Sequence, residues 1–152
     1  MLPSARARRR TSGRPRNADG AAAVEFALVA PLLILLVFGI ISYGYLLSFR
    51  QAMSQGAAEG ARAGAVWASA YAPTQDADRL EAARDGVDEA LSSYGVGCGS
   101  GATCQIRMEP CGSGTCLVVT VTYPYAQRPL TPDVPLVPMP DTLTYTATTR
   151  VQ

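Results

Sequence analysis

Residues 26–49 read FALVAPLLILLVFGIISYGYLLSF, a 24-residue run without a charged side chain. A helix rises about 1.5 Å per residue, so this run reaches about 36 Å against a bilayer hydrocarbon core of about 30 Å. The run is long enough to cross a membrane. A cleavable secretory signal has an apolar region of only about 7–15 residues followed by a small-residue cleavage site, which makes a retained span the better reading.

The residues on either side differ in charge. Ahead of Gly20 stand Arg6, Arg8, Arg9, Arg10, Arg14 and Arg16 against one acid, Asp19, whereas from Arg50 onward seven arginines face ten acids. Arginines close to a span stay preferentially on the cytoplasmic side. Residues 1–20 are therefore expected as a basic cytoplasmic leader, 21–50 as a transmembrane helix, and 51–152 as an extracytoplasmic domain. In 152 residues there is room for one small folded core and no second. A formal net charge of +1 argues against a general polyanion-binding protein, and no nucleic-acid partner is expected.

Export bears on the four cysteines, Cys98, Cys104, Cys111 and Cys116. Outside the cytoplasm disulfides persist. Zinc is the competing reading, but the spacing C-x5-C-x6-C-x4-C has no C-x2-C knuckle, and the chain has no His to serve as a ligand. Three pairings exist in principle. Closeness in sequence and the turn Gly112-Ser113-Gly114-Thr115 favour Cys98 with Cys104 and Cys111 with Cys116, as staples without a redox role.

Downstream of Arg50 the pattern stays helical. The segment QAMSQGAAEGARAGAVWASAYA is rich in Ala, the best helix former, and the first Pro is Pro73. The membrane helix is thus expected to continue into a long stalk. Gly56, Gly60 and Gly64 recur every four residues, in phase with Ala52 and Ala68, which leaves one face almost without side-chain bulk. Each Gly costs about 0.8–1.0 kcal/mol relative to Ala inside a helix, so three in phase point to a close-packed neighbour. An Ala/Gly-rich composition producing the strip by drift is the bland alternative.

A second, amphipathic helix is expected from Thr74 to Tyr94, with Thr74 as N-cap, Asp76 and Asp78 in the first turn and Gly95 at the end. Leu80, Ala83, Val87, Leu91 and Tyr94 form its apolar face. Arg79, Glu81, Arg84, Asp85, Asp88 and Glu89 mostly occupy the other faces, and the acidic ones read as a solvated face. Three short strands follow: Thr103–Glu109, then Cys116–Tyr123 across the turn PCGSGT, and Thr142–Arg150. In the last, Leu143, Tyr145 and Ala147 fall on one face and threonines on the other. Six prolines between Pro124 and Pro140 predict an irregular extended connection. The expected fold is α+β, with long helices packed on a small antiparallel three-stranded sheet.

The upstream edge of the span carries a recognisable pattern. Gly20-Ala21-Ala22-Ala23-Val24-Glu25-Phe26, leading into ALVAPLLILLVFGII, resembles the start of TadE-like proteins of the tight-adherence (Flp-type) pilus system. The resemblance continues through Tyr43-Gly44, Arg50-Gln51-Ala52 and Glu59-Gly60-Ala61-Arg62-Ala63, about a third of the chain. Members of this family are regarded as pseudopilins, cut after a Gly by a membrane-embedded prepilin peptidase to leave Glu at the fifth mature position. The resemblance implies a cut between Gly20 and Ala21, which makes Glu25 the fifth residue. It also implies a pilin-like head, with other pilin or pseudopilin subunits and the assembly machinery as partners.

Glu25 and Phe26, at the mouth of the span, are the expected assembly residues. A carboxylate there is costly unless it stays at the interface or meets a cation, and the new α-amino group of a neighbouring subunit is one such cation. The alternative is a Glu25 that snorkels to the head-group layer. Pro31 reads as a kink within the span. No cofactor, metal or small-molecule substrate is expected, and no enzyme: the chain has no His, no G-x-S-x-G and no metal-ligand pattern. An uncleaved accessory anchor that presents its stapled head to the envelope is the second functional reading.

Overall fold

In a computed structural model that describes residues 16–66, 76–132 and 137–151, the apolar run lies inside one uninterrupted helix, α1, Arg16–Val66. Pro31 is accommodated within it. The chain divides into two units, 1–37 and 38–152. The described part of the first is helix, and its large apolar side chains from Val24 to Val37 are exposed. A helix this apolar around its whole circumference is what a lipid environment favours.

In the second unit, α1 becomes one-sided. Leu46, Phe49, Met53, Ala57 and Ala61 recur at steps of three and four and are buried, while Leu47, Ser54 and Glu59 remain exposed. Helix α2 spans Asp76–Leu91, with Asp76 and Asp78 in its first turn, and a short 3-10 turn covers Ser92–Tyr94. Gly95 ends this turn at φ 65°, a left-handed conformation suited to a residue without a Cβ, and donates to the Ser92 carbonyl. The expected N-cap Thr74 and the stalk beyond Val66 lie outside the described residues.

The sheet has four strands in the order β1-β2-β3-β4: β1 Gly97–Cys98, β2 Gly101–Cys111, β3 Gly114–Tyr123 and β4 Leu143–Arg150. β2, β3 and β4 pair antiparallel, with Ile106 opposite Val119 and Val119 opposite Ala147. The expected antiparallel sheet of three strands therefore gains a fourth, and β1 is parallel to β2. Two residues are too short to leave a period in the sequence. β1 is held instead by tertiary contacts: the Asp88 carboxylate accepts the Cys98 N–H at 2.5 Å, and Cys98 is bonded to Cys104 on β2.

β2 and β3 join through a turn at Gly112-Ser113, where Gly112 has φ 60°. Along β3, Leu117, Val119, Val121 and Tyr123 point into the core, opposite the buried faces of α1 and α2. On the other side of the sheet Thr120 faces Thr146 and Thr122 faces Thr144, with hydroxyl separations of 3.0 and 3.3 Å. In β4 Leu143 is buried and Tyr145 and Ala147 half-buried, while Thr144, Thr146 and Thr148 are exposed. The connection after Tyr123 is irregular over its described residues.

Candidate functional site: the Gly20 junction, the glycine seam and the stapled head

Gly20, Ala21, Glu25 and Phe26 all lie within α1 and are exposed. An added Cβ at Gly20 would meet no atom within 4 Å, so nothing in the described structure crowds the proposed cut. The Gly20–Ala21 peptide is itself helical.

Gly56, Gly60 and Gly64 face α2 of the same chain. A Cβ on Gly60 would lie 2.6 Å from the Ala83 carbonyl oxygen and 2.7 Å from a Val87 methyl, and one on Gly64 would lie 2.6 Å from the Arg79 carbonyl oxygen. Real Cβ atoms do not approach so closely. At Gly56 the fit is looser, with the Ala90 Cβ at 3.3 Å. α2 answers with Gly86, whose added Cβ would lie 3.2 Å from the Gly60 Cα. Gly86 went unread in the sequence because it stands alone in a charged segment, although a lone helical Gly is a signal of close approach.

Two charges on the polar faces of α2 are structural. Arg79 is 9% exposed, and its Nη1 donates to the Gly64 and Ala65 carbonyls at 3.1 and 2.9 Å. Both carbonyls lie in the final described stretch of α1, and the guanidinium ties that stretch to α2. Asp88 holds β1 as described above. The solvated-face reading of Asp88 is thus corrected, because an amphipathic pattern cannot show which polar side chains reach backbone groups of another element.

The four cysteines form two disulfides, Cys98–Cys104 between β1 and β2, and Cys111–Cys116 across the β2–β3 turn. Their Cα separations are 5.3 and 5.7 Å, ordinary for such bridges. Phe49 stacks edge-on against Tyr94 and Tyr123, with centroids at 5.1 and 4.9 Å, so an aromatic cluster joins α1 to the sheet. Burial raises the Tyr123 pKa above its ordinary value, opposed by the Arg128 charge. The neutral Tyr123 hydroxyl donates to the Arg128 carbonyl at 2.7 Å.

An open groove of about 710 Å³ runs between α2 and β2, lined by Leu80, Glu81, Arg84, Asp85, Ile106 and Arg107 among others. Its acids and bases are mixed. Among the described residues no group of three His, Cys, Asp or Glu side chains could hold a metal ion.

Residues 20–62 match the family model described as TadE-like protein. The match begins at Gly20 and ends within the glycine seam. It supports a role in the tight-adherence pilus system, and the apolar N-terminal helix fits a single-pass membrane anchor. Neither the curated proteins nor the solved structures include one that matches the chain.

Proposed function

We propose that this chain, TadE-like over residues 20–62, is a minor pilin or pseudopilin that takes part in assembling a tight-adherence (Flp-type) pilus. The observation that carries the reading is the coincidence at Gly20. The family match opens at this residue, a basic leader precedes it, and Glu25 follows at the fifth position beyond the proposed cut. A prepilin peptidase removes residues 1–20 on the cytoplasmic face, where the arginine-rich leader lies. The exposed carboxylate of Glu25 then meets the α-amino group of a neighbouring subunit and sets its register. The head, stapled and exported, presents contacts to other subunits and to the assembly machinery, and the chain performs no chemistry of its own.

One observation favours the uncleaved accessory anchor. The Gly20–Ala21 bond lies more than a turn inside α1, so a peptidase must unwind that turn before it can cut. Helix ends fray readily and Gly lowers the cost of unwinding, so the helical state delays a cut without forbidding it. Mass spectrometry of the mature N-terminus in native membranes decides between the two. Ala21 as first residue supports the pseudopilin, and Met1 or Leu2 in the mature pool supports the uncleaved anchor.

A further inference from the structure

The apolar run and the folded core overlap. Phe38–Phe49 belongs to the 24-residue charge-free run, yet Ser42, Leu46 and Phe49 on one face of α1 are buried by the folded unit. On the opposite face Ile40 and Leu47 are exposed at 66% and 58%. Side chains from a distant part of the chain lie beside this overlap. An added Cβ on Gly39 would touch a Val137 methyl at 3.8 Å, and the Tyr43 hydroxyl donates to the Pro138 carbonyl at 2.8 Å. Met139 packs on the core while remaining partly accessible, and Pro138 is exposed.

The depth of this contact follows from helix geometry. A hydrocarbon core of about 30 Å accommodates about 20 helical residues. If the core begins at Ala21 it ends near Ile40, and if it begins at Phe26 it ends near Tyr45. Gly39 lies inside the hydrocarbon in both registers, so Val137 beside it meets lipid or the lipid boundary. Tyr43 and Tyr45, each 39% exposed, fall where interfacial aromatics concentrate.

We propose that Val137–Pro140, with Tyr43, forms a lip that inserts into the bilayer leaflet nearest the folded unit. The proposal rests on the reading that the apolar run crosses a bilayer, and its occupant is lipid because the lip is continuous with that run. The backbone suits the boundary of the hydrocarbon, where water and head groups reach the N–H groups of Val137 and Met139. Irregular chain is tolerated near hydrocarbon only where its polar groups are satisfied or missing. Pro138 and Pro140 carry no N–H, and the Pro138 carbonyl already accepts from Tyr43. The lip has no charged side chain.

The test is quenching of tryptophan fluorescence by brominated phospholipids in liposomes that hold the full-length chain. The chain's single Trp, Trp67, is replaced by Phe, and one new Trp is introduced at a time: Leu33→Trp in the span, Pro138→Trp in the lip, and Thr148→Trp on the exposed sheet face. Pro138 is chosen because its side chain is exposed and its carbonyl is kept by the substitution. Met139→Trp repeats the measurement at the next position, and a cooperative thermal melt shows that each variant has folded. Strong quenching at 33 by deep bromines, quenching at 138 several-fold above that at 148, and preference at 138 for shallow bromines are the results expected. Quenching at 33 without quenching at 138 overturns the lip and leaves the span standing. No quenching at 33 removes the span and the lip with it. Equal quenching at 138 and 148 overturns the lip as a specific contact.

Discussion

At the scale of single residues, the glycine seam yields a graded series. Replacing Gly by Ala inside a helix gains about 1 kcal/mol from propensity, and overpacking a tight contact costs about 1–3 kcal/mol. At Gly60 the obstacle is the Ala83 carbonyl, and backbone cannot swing aside, so Gly60→Ala should be destabilising and Gly60→Leu severely so. Gly56→Ala, whose new methyl would find the Ala90 methyl at 3.3 Å and the Val87 carbonyl oxygen and Leu91 at ordinary contact distances of 3.6 and 3.7 Å, should remain within about 1 kcal/mol of wild type. Thermal melts of the detergent-solubilised chain should rank Gly56→Ala above Gly60→Ala. Reversal of that order would contradict the seam. Arg79→Ala removes two charge-assisted bonds to the Gly64 and Ala65 carbonyls of α1 and should cost about 2–3 kcal/mol, with Arg79→Lys recovering part of it. A melt unchanged by Arg79→Ala would show that water replaces the guanidinium freely. The strip of glycines was visible in the sequence from its spacing. Its partner was not, because α2 is separated from it by residues whose path no local pattern specifies.

At the scale of elements, the two disulfides work where secondary structure is weakest. β1 has only two residues, and the β2–β3 turn only Gly112 and Ser113. A strand so short cannot support itself by ladder hydrogen bonds. The Cys98–Cys104 bridge supplies what β1 lacks, and closing so short a loop is worth about 2–3 kcal/mol in the chain-entropy account. Alkylation of non-reduced native membranes should label none of the four cysteines. Reduction should lower the melting temperature of the head and release β1, read as faster amide exchange at Cys98 and Ala102. Stoichiometric labelling of two or more cysteines before reduction would remove the bridges from the native protein. The alternation of β4 and the hairpin turn could be read directly from residue order, since side chains in a strand alternate faces. β1 could not, because its partners are a helix carboxylate and a disulfide.

At the scale of the whole molecule, Gly20 and Glu25 should separate cutting from assembly. Gly20→Val puts a branched side chain at the scissile position while the arginines and the span that set topology stay unchanged. It should accumulate as an inserted precursor about 20 residues longer than the mature chain, the length of the leader. Glu25→Ala should be cut nearly as wild type yet fail to enter the pilus, since only the carboxylate is lost. Mature mass and surface pilus yield, measured together, check both. Normal pilus yield from Glu25→Ala would return Glu25 to the role of a snorkelling interfacial residue.

Hydropathy along the chain determined the span, the helical stalk and the arrangement of two helices before a sheet, because each depends on neighbours within a few residues. The tertiary structure decided what covers each surface. It assigned Leu46 and Phe49 to the folded core although they lie in the same charge-free run as Leu33, set α2 against the glycine strip, and drew Arg79 and Asp88 from the polar faces of that helix onto backbone groups. An apolar side chain declares only that it avoids water. Whether lipid or protein replaces that water depends on contacts between residues as far apart as Tyr43 and Pro138, and no periodicity in the sequence encodes such a meeting.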